Sequence, residues 1–294
     1  MRVTQRCDGQ QQASNRLRRG REAARVLISC VLVALLSGWA VAEPPKIVGE
    51  RRADANSQLA HEQMLANRTR GRIDVFFLGD SITRRWRATD YPRFLANWDA
   101  NFHGWNAANF GWGADRIENI LWRVENGILD GVHPRVIVLL AGTNNLGPQP
   151  ATEARVESIT AGIKTLLDAL RTRAPEAIIL VTGILPRNDG PNPTATAASI
   201  RRINATIQTF ANGQSVRYID IHDALATPNG VLREGMTEDG LHLSLKGYQV
   251  WADALKPHLK ERLGPPSAVD HAPPPTGDPR ASQSKSRTTP PKAR

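Results

Sequence analysis

Two stretches, 135-RVIVLLAGTN-144 and 177-AIILVTGIL-185, restrict this chain more than any other feature. Each is a continuous, β-branched apolar run with no polar alternation. A strand wetted on one face would alternate, so these runs describe strands covered on both faces. Shorter runs at 74-DVFFLG-79, 106-NAANFG-111 and 216-VRYIDI-221 bring the number of expected strands to five. Helical patterns lie between them. Residues 115–127 place Ile117, Ile120, Leu121 and Val124 on one face and stop at Gly127. Residues 153–173 repeat Val156, Ile159, Ile163, Leu166, Leu167 and Leu170, with Pro175 beyond. Further helices are expected over 194–211 and over 244–262, the latter with Ser244 as N-cap. This alternation predicts an α/β fold: a three-layer αβα sandwich on a five-stranded, mainly parallel sheet. In such sheets chemistry gathers in the loops beyond the carboxyl ends of the strands.

The ends of the chain differ from its middle. The formal charge is +10, but residues 1–25 hold seven Arg against Asp8 and Glu22, and residues 265–294 hold five Lys or Arg against Asp270 and Asp278. The middle is therefore near neutral and offers no basic stripe for nucleic acid. After the basic start comes the apolar run 26-VLISCVLVALLSGWAVA-42, ending in Ala40-Val41-Ala42. That order is the order of a secretory leader, predicting cleavage after Ala42 and a secreted or periplasmic protein with no stable membrane span. A retained anchor is the competing reading, although the run is at the short limit for a span. Cys7 and Cys30, the two cysteines, both fall within the leader, which leaves no thiol for a disulfide, a nucleophile or a metal. Residues 43–70 read as a polar helical lead-in. Residues 265–294 read as a disordered, basic, Pro-rich tail, too poor in large apolar groups to offset its ordering entropy. One domain remains, over residues 71–264.

Each strand ends in small or polar residues. After the first stands 77-FLGDSIT-83, after the second 109-NFGWGAD-115 and after the third 142-GTNN-145; before the last helix stands 239-DGLHLS-244. Taken alone, Gly-Asp-Ser is ordinary turn chemistry, and Asp80 suits a helix cap. Asp239 and His242, three apart on one loop, can set a carboxylate against imidazole Nδ1 and leave Nε2 outward. Taken alone, they better suit a surface loop in which Asp239 merely helps a turn.

In order and at strand ends, the four blocks resemble those of the SGNH hydrolase superfamily, also called GDSL-like esterases, and the platelet-activating-factor acetylhydrolase branch most of all. The likeness extends to 120-ILWRVENG-127 and 184-ILPRNDGPNP-193. It implies a flavodoxin-like fold and a serine esterase acting on short acyl esters, acetyl foremost, of small molecules, glycans or lipids. It implies Ser81 as nucleophile, His242 as base and Asp239 as the acid that orients the imidazole. The oxyanion donors would be the Ser81 N–H, the Ala114 N–H and the Asn144 side chain. The family usually has Gly where Ala114 stands, so Gly113 is the alternative donor. Asn109 is read either as a brace for the Ala114 loop or as a polar strand end, and Trp112 either as a subsite wall or as core. Asp80 is read as a local cap. Arg187 and Asn188 are read as leaving-group contacts or as loop solvation.

No cofactor is implied. His222 in 220-DIHD-223 fits no metal spacing, and no Gly-rich phosphate loop occurs. Trp122 and Trp251 fall on apolar helix faces and are expected in the core. Two rival functions remain: a long-chain lipid esterase such as a lysophospholipase, and a non-catalytic glycan-binding module. No oligomeric state follows from the sequence.

Overall fold

A computed structural model describes residues 47–281. The expected leader, and residues 282–294 of the tail, lie outside the described residues. The elements run α1 (Ala55–Asn67), β1 (Val75–Gly79), α2 (Ser81–Arg87), α3 (Pro92–Phe102), β2 (Ala107–Asn109), α4 (Ile117–Glu125), β3 (Val136–Leu140), α5 (Thr143–Leu146), α6 (Glu153–Arg173), β4 (Ile178–Thr182), α7 (Pro193–Gln208), β5 (Val216–Ile219), α8 (His222–Leu225) and α9 (Leu245–Leu263). The five strands form one sheet in the order β2-β1-β3-β4-β5, and every pairing is parallel.

The uniform apolar runs have their expected cause. All five residues of β1, of β3 and of β4 are buried. The two-residue period then divides them between two cores. Phe76, Leu78, Ile137 and Leu139 pack with Ile120, Ile163, Leu167 and Ile203, on the face covered by α1, α4, α6 and α7. Val75, Phe77, Val136 and Val138 pack with Trp86, Trp98, Phe102, Trp251 and Leu255, on the face covered by α2, α3 and α9. Phe77 sits at the centre of the second core, its ring 4.5 Å from Trp98 and 5.1 Å from Phe102. Ser244 caps α9 as expected, accepting from the Gly247 N–H.

Two expectations are corrected. The tail is not disordered from residue 265. Over 265–281 it lies along the domain, held by backbone groups rather than by apolar side chains. The Arg72 N–H donates to His271 O (2.8 Å), the Thr89 N–H to Thr276 O (3.1 Å), and buried Arg87 to Pro273 O (2.7 Å). Hydrophobic content, the basis of the expectation, does not register such bonds. Trp122 is only half-buried, with His61 at 4.6 Å on its ring and the Arg51 guanidinium 5.8 Å from its centroid. Trp251 is fully buried, as expected.

Candidate active site

The carboxyl end of β1 meets the start of α2 at Asp80. Its Oδ1 accepts the Ile82 N–H (2.9 Å), which makes Asp80 the N-cap and Ser81 the first helical residue. Asp80 is completely buried and so does not line a substrate site. Burial, with help from nearby Asp115, pushes its carboxyl up to about 7. The second loop lies directly on α2. A Cβ at Gly111 would come within 2.7 Å of the Arg84 nitrogen and 2.9 Å of Asp80 O, so only glycine permits this approach.

The loop before α9 brings up the imidazole. Thr237 Oγ1 donates to His242 O (2.8 Å) and accepts the Gly240 N–H (2.9 Å), closing a tight turn. Asp239 Oδ1 accepts the N–H groups of Leu241 (3.1 Å) and His242 (2.8 Å). Its Oδ2 lies 2.7 Å from His242 Nδ1, and His242 Nε2 lies 2.9 Å from Ser81 Oγ. Partial burial acts to raise the Asp239 pKa, but the hydrogen bonds from His242 and Leu241 outweigh it and hold the carboxyl at about 2. An ionised carboxylate only accepts, so the ring proton belongs on Nδ1. For His242, burial is the largest effect and lowers the pKa; the Asp239 bond opposes it, and Arg85 adds to the lowering. The neutral ring that results has a bare Nε2 facing the Ser81 hydroxyl.

The remaining blocks converge on the same edge. Asn144 Nδ2 donates to Asp115 O (2.8 Å), joining the third block to the second. Asn145 accepts the Ile117 N–H (2.9 Å) and so holds the start of α4. Ala114 is exposed with φ at +62°, in the left-handed region where the family's usual glycine costs nothing. Among the described residues, neither the Ser81 nor the Ala114 N–H donates to a protein acceptor. Asn109 braces the second loop at Gly111, not at Ala114: Oδ1 accepts the Gly111 N–H (2.9 Å) while Nδ2 donates to Thr83 O (2.6 Å). Trp112 is 7% exposed and packs in the core, with the Arg84 guanidinium 4.8 Å from its ring centroid. Arg187 is corrected as well. It is buried, forked onto Asp189 (2.7 and 2.6 Å), and donates to Thr143 O (2.8 Å). Asn188 accepts the Leu232 N–H (3.0 Å) and donates its own N–H to Gly240 O (2.7 Å). The 187–189 loop therefore holds the third block and the histidine loop together. Among the described residues no cluster of His, Cys, Asp or Glu is placed to hold a metal, and no helix is long and apolar enough to cross a membrane.

The model of the GDSL-like lipase/acylhydrolase family matches residues 77–250. The chain belongs to that family. It is 30% identical over 239 residues to platelet-activating factor acetylhydrolase IB subunit alpha1 of Bos taurus, covering 81% of this chain and 97% of the relative. To the alpha2 subunit of Rattus norvegicus it is 33% identical over 177 residues, covering 60% and 71%. In fold it is similar to a GDSL-like lipase from Bacteroides thetaiotaomicron, with a TM-score of 0.56 at 17% identity over 70% of this chain and all of that one. As a GDSL-family member it is a carboxylic ester hydrolase. Three residues near the site carry no signal in the family blocks. Arg85 stands one helical turn beyond Ser81, with Nη1 3.6 Å from Asp239 Oδ2, a placement the i, i+4 spacing on α2 could have suggested. Tyr248 on α9 donates to Ile82 O (2.7 Å). Arg52, well before the matched residues, donates to Gly113 O (2.8 Å), and nothing in the sequence pointed to it.

Proposed function

We propose that the protein is an exported serine esterase that removes short acyl groups, acetyl foremost, through an acyl-enzyme on Ser81. One observation carries this reading: the unbroken chain from Ser81 Oγ through His242 to Asp239, at 2.9 and 2.7 Å. Ser81 Oγ attacks the ester carbonyl as its proton passes to His242 Nε2, and the carbonyl π pair moves onto oxygen. The Ser81 and Ala114 N–H groups and Asn144 Nδ2 receive that oxygen; Asn144 exchanges its resting bond to Asp115 O for it. Collapse restores the C=O and expels the alcohol oxygen, which takes the proton from Nε2. Water repeats the sequence and releases the acid. Asp239 keeps the proton on Nδ1 and stabilises the imidazolium. The names of the acetylhydrolase relatives support a short acyl group, and the leader pattern over 1–42 supports export, with acetylated glycans or lipids outside the cell as the substrate class.

The test is a series of p-nitrophenyl esters of increasing acyl length together with acetylated oligosaccharides, assayed with the wild type and Ser81→Ala. The expected result is highest kcat/KM on acetyl esters, no turnover by the variant and indifference to chelators. Preference for long chains would favour the lipid-esterase reading. Binding of oligosaccharide without turnover by the wild type would favour a binding module. Equal activity in both proteins would remove Ser81 from the mechanism.

A further inference from the structure

The peptide joining Gly113 to Ala114 is held from outside the family-matched residues. Arg52 Nη1 donates to Gly113 O (2.8 Å), its Nη2 lies 2.8 Å from Asp54 Oδ2, and Nη1 lies 3.7 Å from buried Asp115. Asp54 is itself fixed, since its Oδ1 accepts the Ser57 N–H (2.8 Å) as the N-cap of α1. The guanidinium is thus a bridge from the lead-in to the second loop.

A peptide group is planar, with its C=O and N–H on opposite edges. Holding the Gly113 carbonyl therefore fixes the direction of the Ala114 N–H, which points away from Arg52. The alternative conformation is a flip of this one plane, which changes ψ of Gly113 and φ of Ala114 together. Starting from +62°, the flip carries φ of Ala114 to the negative side that an L-residue prefers. It also turns the N–H around. Gly113 carries no Cβ, so its ψ is free to change with the flip. The intrinsic preference of alanine thus works against the orientation seen. A hydrogen bond from a charged donor is among the stronger ones and opposes that preference.

We propose that Arg52 is a positioning residue of the oxyanion site: it holds the Gly113–Ala114 peptide with the Ala114 N–H presented to the developing oxyanion, which makes the lead-in part of the catalytic apparatus. This rests on Ser81 being the nucleophile. Arg52 acts through Ala114 and does not itself touch substrate. Its removal should leave ground-state binding intact and weaken only the interactions that grow in the transition state.

The experiment uses the full chain with Arg52→Gln, Arg52→Lys, Ala114→Gly and the Arg52→Gln/Ala114→Gly double variant, assayed on p-nitrophenyl acetate. A boronic acid that adds to the serine oxygen as a tetrahedral anion is the second probe. Arg52→Gln should lower kcat by about 10- to 100-fold, part of the loss of a whole oxyanion donor, with KM unchanged and boronate affinity falling in parallel. Arg52→Lys should recover part of the rate. In the double variant, glycine removes the preference for the flipped plane and should restore part of kcat; a purely structural role for Arg52 predicts no such rescue. Should Arg52→Gln fail to fold, Arg52→Lys carries the same kcat-against-KM split. An inactive Ser81→Ala beside an unimpaired Arg52→Gln would overturn this inference alone. A fully active Ser81→Ala would remove the nucleophile and this inference with it.

Discussion

The phenol of Tyr248 donates to the carbonyl of Ile82 at 2.7 Å, tying the helix that follows His242 to the residue beside Ser81. The bond is wholly buried, beneath the ring of Trp86 stacked 4.8 Å from that of Tyr248. It fixes the separation of α9 and α2, and hence of imidazole and hydroxyl. Tyr248→Phe keeps the ring and deletes the bond. A urea titration should show a loss of about 1 kcal/mol. The same variant should have reduced kcat with little change in KM, because the serine–histidine distance is no longer pinned. Unchanged stability would mean that the ring packing alone holds the two helices.

The base must be neutral to accept a proton, so kcat/KM should fall as pH drops through the His242 pKa. Burial, the largest effect, lowers that pKa below its ordinary value, and the acid limb should lie correspondingly low. The charged groups facing the ring are Asp239, Arg85 and Asp189: the carboxylates raise the pKa and Arg85 lowers it. Arg85→Gln removes a cation 3.6 Å from Asp239 Oδ2, making the imidazolium easier to form. A pH–rate profile should then show the acid limb displaced to higher pH. A displacement to lower pH would contradict this assignment of the charges.

Asp80 makes stability depend on pH in the direction opposite to most carboxylates. Burial raises its folded pKa from 3.8 to about 7, so between those values the folded state holds a proton that the unfolded state has lost. Its contribution is therefore most favourable at acid pH and declines as pH rises toward 7. Asp80→Asn keeps an oxygen for the Ile82 N–H and cannot ionise. Thermal unfolding at pH 5 and pH 8 should show the variant gaining on the wild type at the higher pH. Parallel behaviour at both values would mean that Asp80 stays ionised in the fold.

Removing residues 265–294 should destabilise the domain even though that segment contributes few apolar side chains. The cut deletes acceptors for the Arg72 and Thr89 N–H groups and leaves Arg87, 8% exposed, without Pro273 O. At about 1 kcal/mol for each ordinary hydrogen bond and more for the arginine, the loss should be about 2–4 kcal/mol in a denaturant titration. An unshifted midpoint would show that these groups are satisfied equally well by water.

The distribution of what the sequence revealed follows from what is local. β3 and β4 announced themselves because burial on both faces leaves no room for polar residues. Ser81, Asp239 and His242 were legible through the order of four short blocks and the family these resemble, since each block alone suits an ordinary turn. Asp239 and His242 lie within one loop, so their spacing allowed a contact without requiring it. The buried fork of Arg187 on Asp189 was invisible as such, since the same letters suit a wetted loop. Arg52 and Pro273 act through backbone carbonyls distant in the chain, and a carbonyl has no letter of its own. Trp112 remained undecided because core and subsite both favour an aromatic ring.

The order β2-β1-β3-β4-β5 has one last consequence. From β1 the chain leaves by α2 and α3 over one face of the sheet to reach β2, and the helices that lead into β3, β4 and β5 cover the other. Where successive connections diverge in this way, a crevice opens at the strand ends without any void being carved from the interior. Ser81 stands at that parting. The loop after β4 and the histidine loop after β5 close on it from one side, the Asn188 N–H holding Gly240 O at 2.7 Å, so imidazole and hydroxyl meet where the chain's own path brings separate strand ends together.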